Sequence, residues 1–261
     1  MMYNYLVADS LWETSHMEKT YSETFVVRAT DCDVERRMRL SALFVAMQEG
    51  GERHAISLGL GYDAMMARGL FFVLARIHVK TFRAPRCGER VVHTTWPGMT
   101  NRFFCPRYHV FTLEDGTLLA AAGALWVTLD TVARKVVSPK AANLPFPDTS
   151  DLKPPVKLPM RMPHPGEPTQ TLTRAPMYSD YDINGHVNNT RYIAWLCDAL
   201  GSDALAGHYI GDLTAGYEKE IRENDPLTLS LSQTGDDFTF AVISQDGAKR
   251  FIAGGSLRKE D

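Results

Sequence analysis

Asp182, Asn184 and His186 alternate along the stretch DINGHVNN (182–189), and the largely apolar run TRYIAWLCDAL follows it directly. A carboxylate and an imidazole at this spacing can take a proton from water, and an amide can orient the water or a carbonyl group. If a helix starts near Val187 to Asn189, its first N–H groups have no partner within the helix and carry partial positive charge. A carbonyl oxygen placed there would be polarised, and one such donor is worth roughly 3–4 kcal/mol of barrier in acyl transfer. The same residue types are also the favoured caps of a helix N-terminus, and Asn tolerates left-handed backbone. Taken alone, the stretch fits a cap as well as a site.

An internal repeat separates the two readings. TDCDVERRMRLSALFVAMQEG from Thr30 aligns without a gap on SDYDINGHVNNTRYIAWLCDA from Ser179, an offset of 179 − 30 = 149 residues. Asp33 falls on Asp182, Val34 on Ile183 and Phe44 on Ile193. The first copy, DVERRMRL, opens its helix with neither the histidine nor the Asn-Asn pair, so capping does not require them. One site for the two copies is expected, on the second.

The elements that must hold this site repeat as well. Leu40, Leu43, Phe44 and Met47, like Ile193, Leu196, Cys197 and Leu200, stand at the i, i+3, i+4, i+7 positions of a helix face. The second helix has few polar residues between Tyr192 and Leu200, so a sheet has to cover it. Val73, Ala75, Ile77, Val79 and Thr81 alternate with polar residues as in a strand. Further strands are predicted over 91–96, 103–113, 118–129, 211–221, 227–231, 238–243 and 249–257, separated by turn signals such as Glu114-Asp115-Gly116 and Asp246-Gly247. Nine of the fourteen prolines fall between Ser138 and Pro168, which marks a stiff surface linker. The expected division is a leader over 1–19, a first domain over 20–138, the linker over 139–170 and a second domain over 171–261.

Bulk properties narrow the class. With 44% apolar and 23% charged residues the chain reads as an ordinary globular protein, and a net charge of −3 gives no global field for nucleic acid. The longest apolar run, Leu118 to Leu129, is too short to span a bilayer. The N-terminal residues do not have the basic-then-apolar order of a secretory signal, which makes the cytoplasm the expected compartment. Cys32, Cys87, Cys105 and Cys197 form no CxxC pair and read as reduced structural thiols. His54 and His78 have no acid or nucleophile at useful spacing and read as structural. No GxSxG elbow is present, against a serine hydrolase.

DINGHVNN, together with LSALFVAMQE, LWVTLDTVARKV and YEKEI, resembles the acyl-acyl carrier protein thioesterases, the double-hotdog enzymes of plant plastids and many bacteria. The resemblance runs from about Ser22 to the C-terminus. It implies an α+β tandem hotdog fold, two antiparallel sheets each wrapped around a central helix, paired as a pseudo-dimer in one chain. It also implies hydrolysis of fatty acyl-acyl carrier protein, with the family's catalytic carboxylate on Asp182, its asparagine on Asn184, its histidine on His186 and its glutamate on Glu220. Ile221 stands where many plant members have a cysteine once proposed as the nucleophile, so a Cys-His-Asn mechanism is excluded for this chain. No cofactor is implied, because the carrier brings its own phosphopantetheine arm. Neither nucleic acid nor membrane is an expected partner, and the oligomeric state is monomer or homodimer.

Glu220 lies 34 positions past His186 and has to return beside it on a strand packed against the helix. Met47, Met65, Met66 and Met99 are candidates for a flexible acyl pocket in the first domain. ERRMR (Glu35 to Arg39) and KTFRAPR (Lys80 to Arg86) are candidates for docking an acidic carrier. The rival readings are an acyl-CoA thioesterase, a hotdog hydratase acting on a thioester without cleaving it, and a non-catalytic acyl-binding module.

Overall fold

The computed structural model describes residues 18–222 and 224–260, so residues 1–17 of the expected leader lie outside the described part. The first half comprises β1 (Tyr21–Val26), α1 (Leu40–Ser57), a short α2 (Tyr62–Ala67), β2 (Leu70–Thr81), β3 (Arg90–Pro97), β4 (Phe104–Leu113), β5 (Leu118–Asp130) and a two-residue β6 (Val136–Val137). The second comprises β7 (Gln170–Arg174), α3 (Asn189–Leu205), β8 (His208–Tyr217), β9 (Leu227–Thr234), β10 (Asp237–Ser244) and β11 (Lys249–Lys259).

Strand order is β1-β3-β4-β5-β2 in the first half and β7-β9-β10-β11-β8 in the second, the same topology twice. The edge strands β2 and β8 pair antiparallel, with Ile77 opposite Ala215, and fuse the two expected sheets into one continuous sheet. The offset of 149 also holds in the backbone, since Leu40 and Asn189 each begin the helix of their half. Edge strands β1 and β7 and the short helix α2 add to the elements expected from periodicity; β1 carries Glu23 on its inner face, β7 is almost wholly exposed and α2 has no side-chain cap.

One face of each helix is covered by the sheet, as the apolar stripes require. Leu43, Phe44 and Met47 of α1 and Ile193, Trp195 and Leu196 of α3 share a single core with Phe111, Leu213 and Phe240 from the strands. The helix α3 is buried on more than one side, as its composition predicts. Cys197 packs against this core, its thiol pushed up to about 12 by burial, and all four cysteines are free thiols. No helix among the described residues is long and apolar enough to cross a membrane.

The proline-rich linker runs across the outer face of the sheet. Arg76 donates to the Met160 carbonyl at 2.7 Å, Thr149 donates to the Pro97 carbonyl at 2.7 Å, and Val156 is buried. Glycines in β5, β8 and β11 admit it: a Cβ on Gly123 would meet Val156 and Leu158 at 3.2 Å, one on Gly216 would meet Met162 and one on Gly254 would meet Pro163. Glycine inside a strand weakens it unless another segment must come close, which is the case here.

Gly255 is the tightest such position, because a Cβ there would lie 1.9 Å from the Asp212 carbonyl oxygen on neighbouring β8. Gly255→Ala is expected to lower stability by about 1–3 kcal/mol or more through backbone displacement. Denaturant titration reads this as a lower midpoint, and an unchanged midpoint would contradict the β8–β11 packing.

Candidate active site

The DINGHVNN stretch forms a tight loop closed by a bridge between Tyr181 and Val187. Inside it, the Asp182 N–H donates to the His186 carbonyl at 2.8 Å, and Gly185 supplies the left-handed residue the turn needs, with φ of 68°. The Asp182 Oδ1 accepts the N–H groups of Asn184 at 2.8 Å and His186 at 3.3 Å. The first copy builds the same loop. Asp33 Oδ1 accepts the N–H groups of Glu35 at 3.0 Å and Arg37 at 2.9 Å, with Arg36 at φ of 63° in the glycine position. The aspartate shared by the two copies therefore shapes a loop in both, with or without a histidine beside it.

His186 is where the copies diverge. Its counterpart Arg37 is 3% exposed and forms ion pairs with Asp33, Glu35 and Glu260. The loop instead turns His186 toward Glu220, with Nε2 3.1 Å from the Glu220 Oε2. That is an ion-pair distance, but the alignment is too poor for a hydrogen bond, and the buried Nε2 has no hydrogen-bond partner. Nδ1 has none either among the described residues and, unlike Nε2, is not sealed from solvent.

Glu220 reaches this position from a loop rather than from the predicted strand. The strand β8 stops at Tyr217, because Glu218 and Lys219 both donate their N–H groups to the Arg250 carbonyl and the chain turns away from the ladder. It docks again where the Val187 N–H donates to the Ile221 carbonyl at 2.9 Å, which sets Glu220 against His186.

Two arginines complete the cluster. Arg134 Nη2 donates to both Glu220 oxygens at 2.6 and 2.7 Å, and Arg222 Nε donates to Oε1 at 2.9 Å. Arg134 belongs to the first half, in the turn between β5 and β6, at φ of 54° and with its guanidinium 4.9 Å from the Phe71 ring centroid. Periodicity gives no sign of it. Arg222 does leave one, since it stands two residues past Glu220 and such residues share a side in extended chain. Burial pushes the Glu220 carboxyl up, but the hydrogen bonds from Arg222 and Arg134 outweigh it and hold it below the usual range. Burial is also the main cause that lowers His186, and the Glu220 charge offsets it only in part. At neutral pH the pair is an ionised carboxylate and a neutral imidazole.

The start of α3 offers fewer free donors than expected. The N–H of Val187 donates to Ile221, that of Asn188 to Asp180, and those of Thr190 and Arg191 to the side chain and carbonyl of Asn188. These bonds leave Asn189 as the N–H in this turn without a partner among the described residues. Asn184 sits exposed at the loop tip, and no hydrogen bond joins its amide to His186 or Glu220.

Asn189 borders a cavity otherwise walled by the first half, with Phe44, Met47, Leu74 and Ile77 among its apolar sides. Of the methionines singled out above, Met47 alone lines it; Met65 is buried in a separate cluster, and Met66 and Met99 are exposed. The basic stretches are largely neutralised: Arg83 pairs with Glu89, Arg86 with Glu260 and Lys80 with Asp212, while Arg37 is internal. Arg36 and Arg39, both exposed, form no ion pair among the described residues. His54 is buried against Arg107, and His78 lies 3.2 Å from Asp212, an acid that sequence spacing did not bring near it.

Two family models match the chain, the acyl-ACP thioesterase N-terminal domain over residues 18–140 and the C-terminal domain over 166–253. The chain belongs to the acyl-ACP thioesterase family. The chloroplastic oleoyl-acyl carrier protein thioesterase of Coriandrum sativum is 24% identical over 93% of this chain and 70% of its own length. Oleoyl-acyl carrier protein thioesterase 1 of Arabidopsis thaliana is 26% identical over 83% of this chain, which spans 65% of that relative. Among solved structures, an acyl-ACP thioesterase from Bacteroides thetaiotaomicron superposes with a TM-score of 0.81 at 22% identity, covering 92% of this chain and 98% of its own. The 12:0-ACP thioesterase from Umbellularia californica does so with a TM-score of 0.78 at 23% identity, covering 93% and 98%. These likenesses establish the tandem hotdog fold.

Replacing Arg134 with glutamine removes a positive charge that holds His186 down, so the imidazole midpoint should move to higher pH. Titration of the His186 ring by nuclear magnetic resonance checks the sign, and a midpoint that stays or falls would remove Arg134 from the cluster. Asp182→Ala should cost about 1 kcal/mol of stability, the usual value of a lost cap. Asp33→Ala should cost more, because Asp33 Oδ2 also accepts from the buried Arg37 Nε at 2.9 Å; denaturant titration showing the larger loss at Asp182 would contradict this difference between the loops.

Proposed function

We propose that this protein hydrolyses the thioester of fatty acyl-acyl carrier protein and releases the free fatty acid, with Glu220 and His186 at the reacting centre. The observation that carries this reading is the 3.1 Å approach of Glu220 to His186 across 34 residues of sequence, inside a member of the thioesterase family.

Glu220 is a poor base, because two arginines hold its carboxylate ionised. Its charge beside His186 Nε2 favours a proton on that nitrogen and leaves Nδ1 as the open lone pair. Nδ1 takes a proton from water as the water oxygen attacks the thioester carbon. The imidazolium formed is stabilised by the adjacent carboxylate, and the carbonyl oxygen, gaining charge, is met by the Asn189 N–H at the helix start. Collapse of the tetrahedral intermediate breaks the C–S bond, and His186 returns the proton to the departing thiolate. Asp182, with one carboxylate oxygen occupied by its own loop, positions His186, and the exposed Asn184 amide meets the substrate outside the reacting centre. The cavity beyond Asn189 is only about 20 Å³, so Phe44, Met47, Leu74 and Ile77 have to move apart for the acyl chain to enter there. The carrier protein is the partner this substrate brings.

This reading predicts that the purified protein liberates free thiol from acyl carriers and that His186→Asn lowers kcat/KM by about 10²–10⁴-fold, the usual worth of a positioned base. Activity should fall on the acid side as His186 protonates, with a midpoint below the ordinary histidine value because burial disfavours the charged ring. Turnover on acyl-CoA alone, or a His186→Asn variant with full activity, would overturn it.

A further inference from the structure

Among the described residues, the start of α3 leaves one N–H, that of Asn189, to meet the carbonyl oxygen. The negative charge that forms on such an oxygen is ordinarily shared by two donors. The cavity that Asn189 borders shows where a second can come from. Its volume of about 20 Å³ is the room of one water molecule, or of one carbonyl oxygen. Gln48 of α1 borders the same space, so a side-chain amide from the first half of the chain meets the helix start of the second.

Gln48 extends the apolar stripe of α1, standing eight residues past Leu40 on the face that Leu43, Phe44 and Met47 turn to the core. A polar side chain on that face is expected to pair its amide, yet the Gln48 amide has no hydrogen-bond partner among the described residues. It is not sealed either. Trp126 Nε1, at the same cavity, is closed off from solvent and unpartnered, whereas both polar atoms of Gln48 remain accessible. An open N–H at an oxygen-sized space is available to an oxygen that the substrate brings.

The two copies differ at this position in step with the loops they serve. The offset of 149 carries Gln48 onto Cys197 of α3. Burial chiefly raises the Cys197 thiol, and the charges of Asp198, Asp33 and Arg39 also reach it, which sets it near the first copy's loop. Each helix therefore brings this position to the aspartate loop of the other half. The loop with His186 has an amide there, and the loop with Arg37 has a thiol that offers no comparable donor. The histidine and the amide are thus present together in one copy of the arrangement and absent together from the other.

We propose that Gln48 is a further catalytic residue, whose amide N–H donates to the thioester carbonyl oxygen together with the Asn189 N–H. The proposal deepens the thioesterase reading and rests on it. As the water oxygen bonds to the thioester carbon, the carbonyl electron pair moves onto its oxygen, and both donors stabilise that charge until the C=O bond re-forms and the thiolate departs. The test compares wild type with Gln48→Met, which keeps the length of the side chain and removes the donor. Hydrolysis of acyl carrier thioesters should lose about 10²–10³-fold in kcat with KM little changed, as for other single donors of this kind. Gln48→Asn, which withdraws the amide by one methylene, should fall in the same direction. The denaturant midpoint of Gln48→Met should hold or rise, since the amide removed has no partner within the protein. In parallel, nuclear magnetic resonance of the carbonyl carbon in a bound acyl-phosphopantetheine analogue, with a methylene in place of the sulfur, reads the hydrogen bonding without turnover. Donation moves that signal downfield in wild type, and Gln48→Met should reduce the displacement. An undiminished kcat in Gln48→Met, or a carbonyl signal equally displaced in the two proteins, would overturn the proposal. If no thioester is cleaved but the displacement still depends on Gln48, the hydrolytic reading falls and the donor assignment stands.

Discussion

The Glu220 carboxylate, held between Arg134, Arg222 and His186, is the interaction on which the rest of the site depends. One of its partners comes from the first half of the chain and two from the second, so neither half holds the cluster alone. The β2–β8 ladder provides the alignment, since it locks the half-sheets edge to edge and with them the β5–β6 turn that carries Arg134. Two cations on one carboxylate keep it charged and weakly basic, which moves the proton work to His186.

Duplication followed by divergence explains why there is one such cluster. Both halves keep the aspartate loop and the left-handed residue within it, at Gly185 and Arg36. One copy fills the next position with His186, open at Nδ1. The other fills it with Arg37, whose guanidinium is consumed by three carboxylates and by the Leu205 carbonyl of α3. The first copy has become a structural contact, and its half contributes the cavity walls and Arg134.

Much of this was legible from residue types. The helices and long central strands follow from periodicity because each has one face against a shared core, and their ends moved by only a few residues. The edge strands Tyr21–Val26 and Gln170–Arg174 left little trace, since the first alternates in burial but places the charged Glu23 on its inner face, and the second is exposed along almost its whole length. The family resemblance, not residue spacing, joined Asp182, Asn184, His186 and Glu220 as one site, and the strand pattern put Glu220 on a strand; Asn184 stands apart at the loop tip. The turn set by the Arg250 carbonyl is a tertiary feature with no local signature. Arg134 was hidden for the same reason: its role depends on an 86-residue separation closing in space. The free donors expected at the helix start were reduced to Asn189 by carbonyls from Ile221 and Asp180, which are likewise distant or out of register in sequence.

The most direct test of the account is a double-mutant cycle on kcat/KM for acyl carrier thioesters, combining His186→Asn with Glu220→Gln. A carboxylate whose work is to stabilise the protonated imidazole has nothing to act on once that imidazole is gone, so the double variant should be little worse than the single His186 variant. Losses that multiply independently would mean that the two residues act apart, and would contradict the coupling on which the site is built.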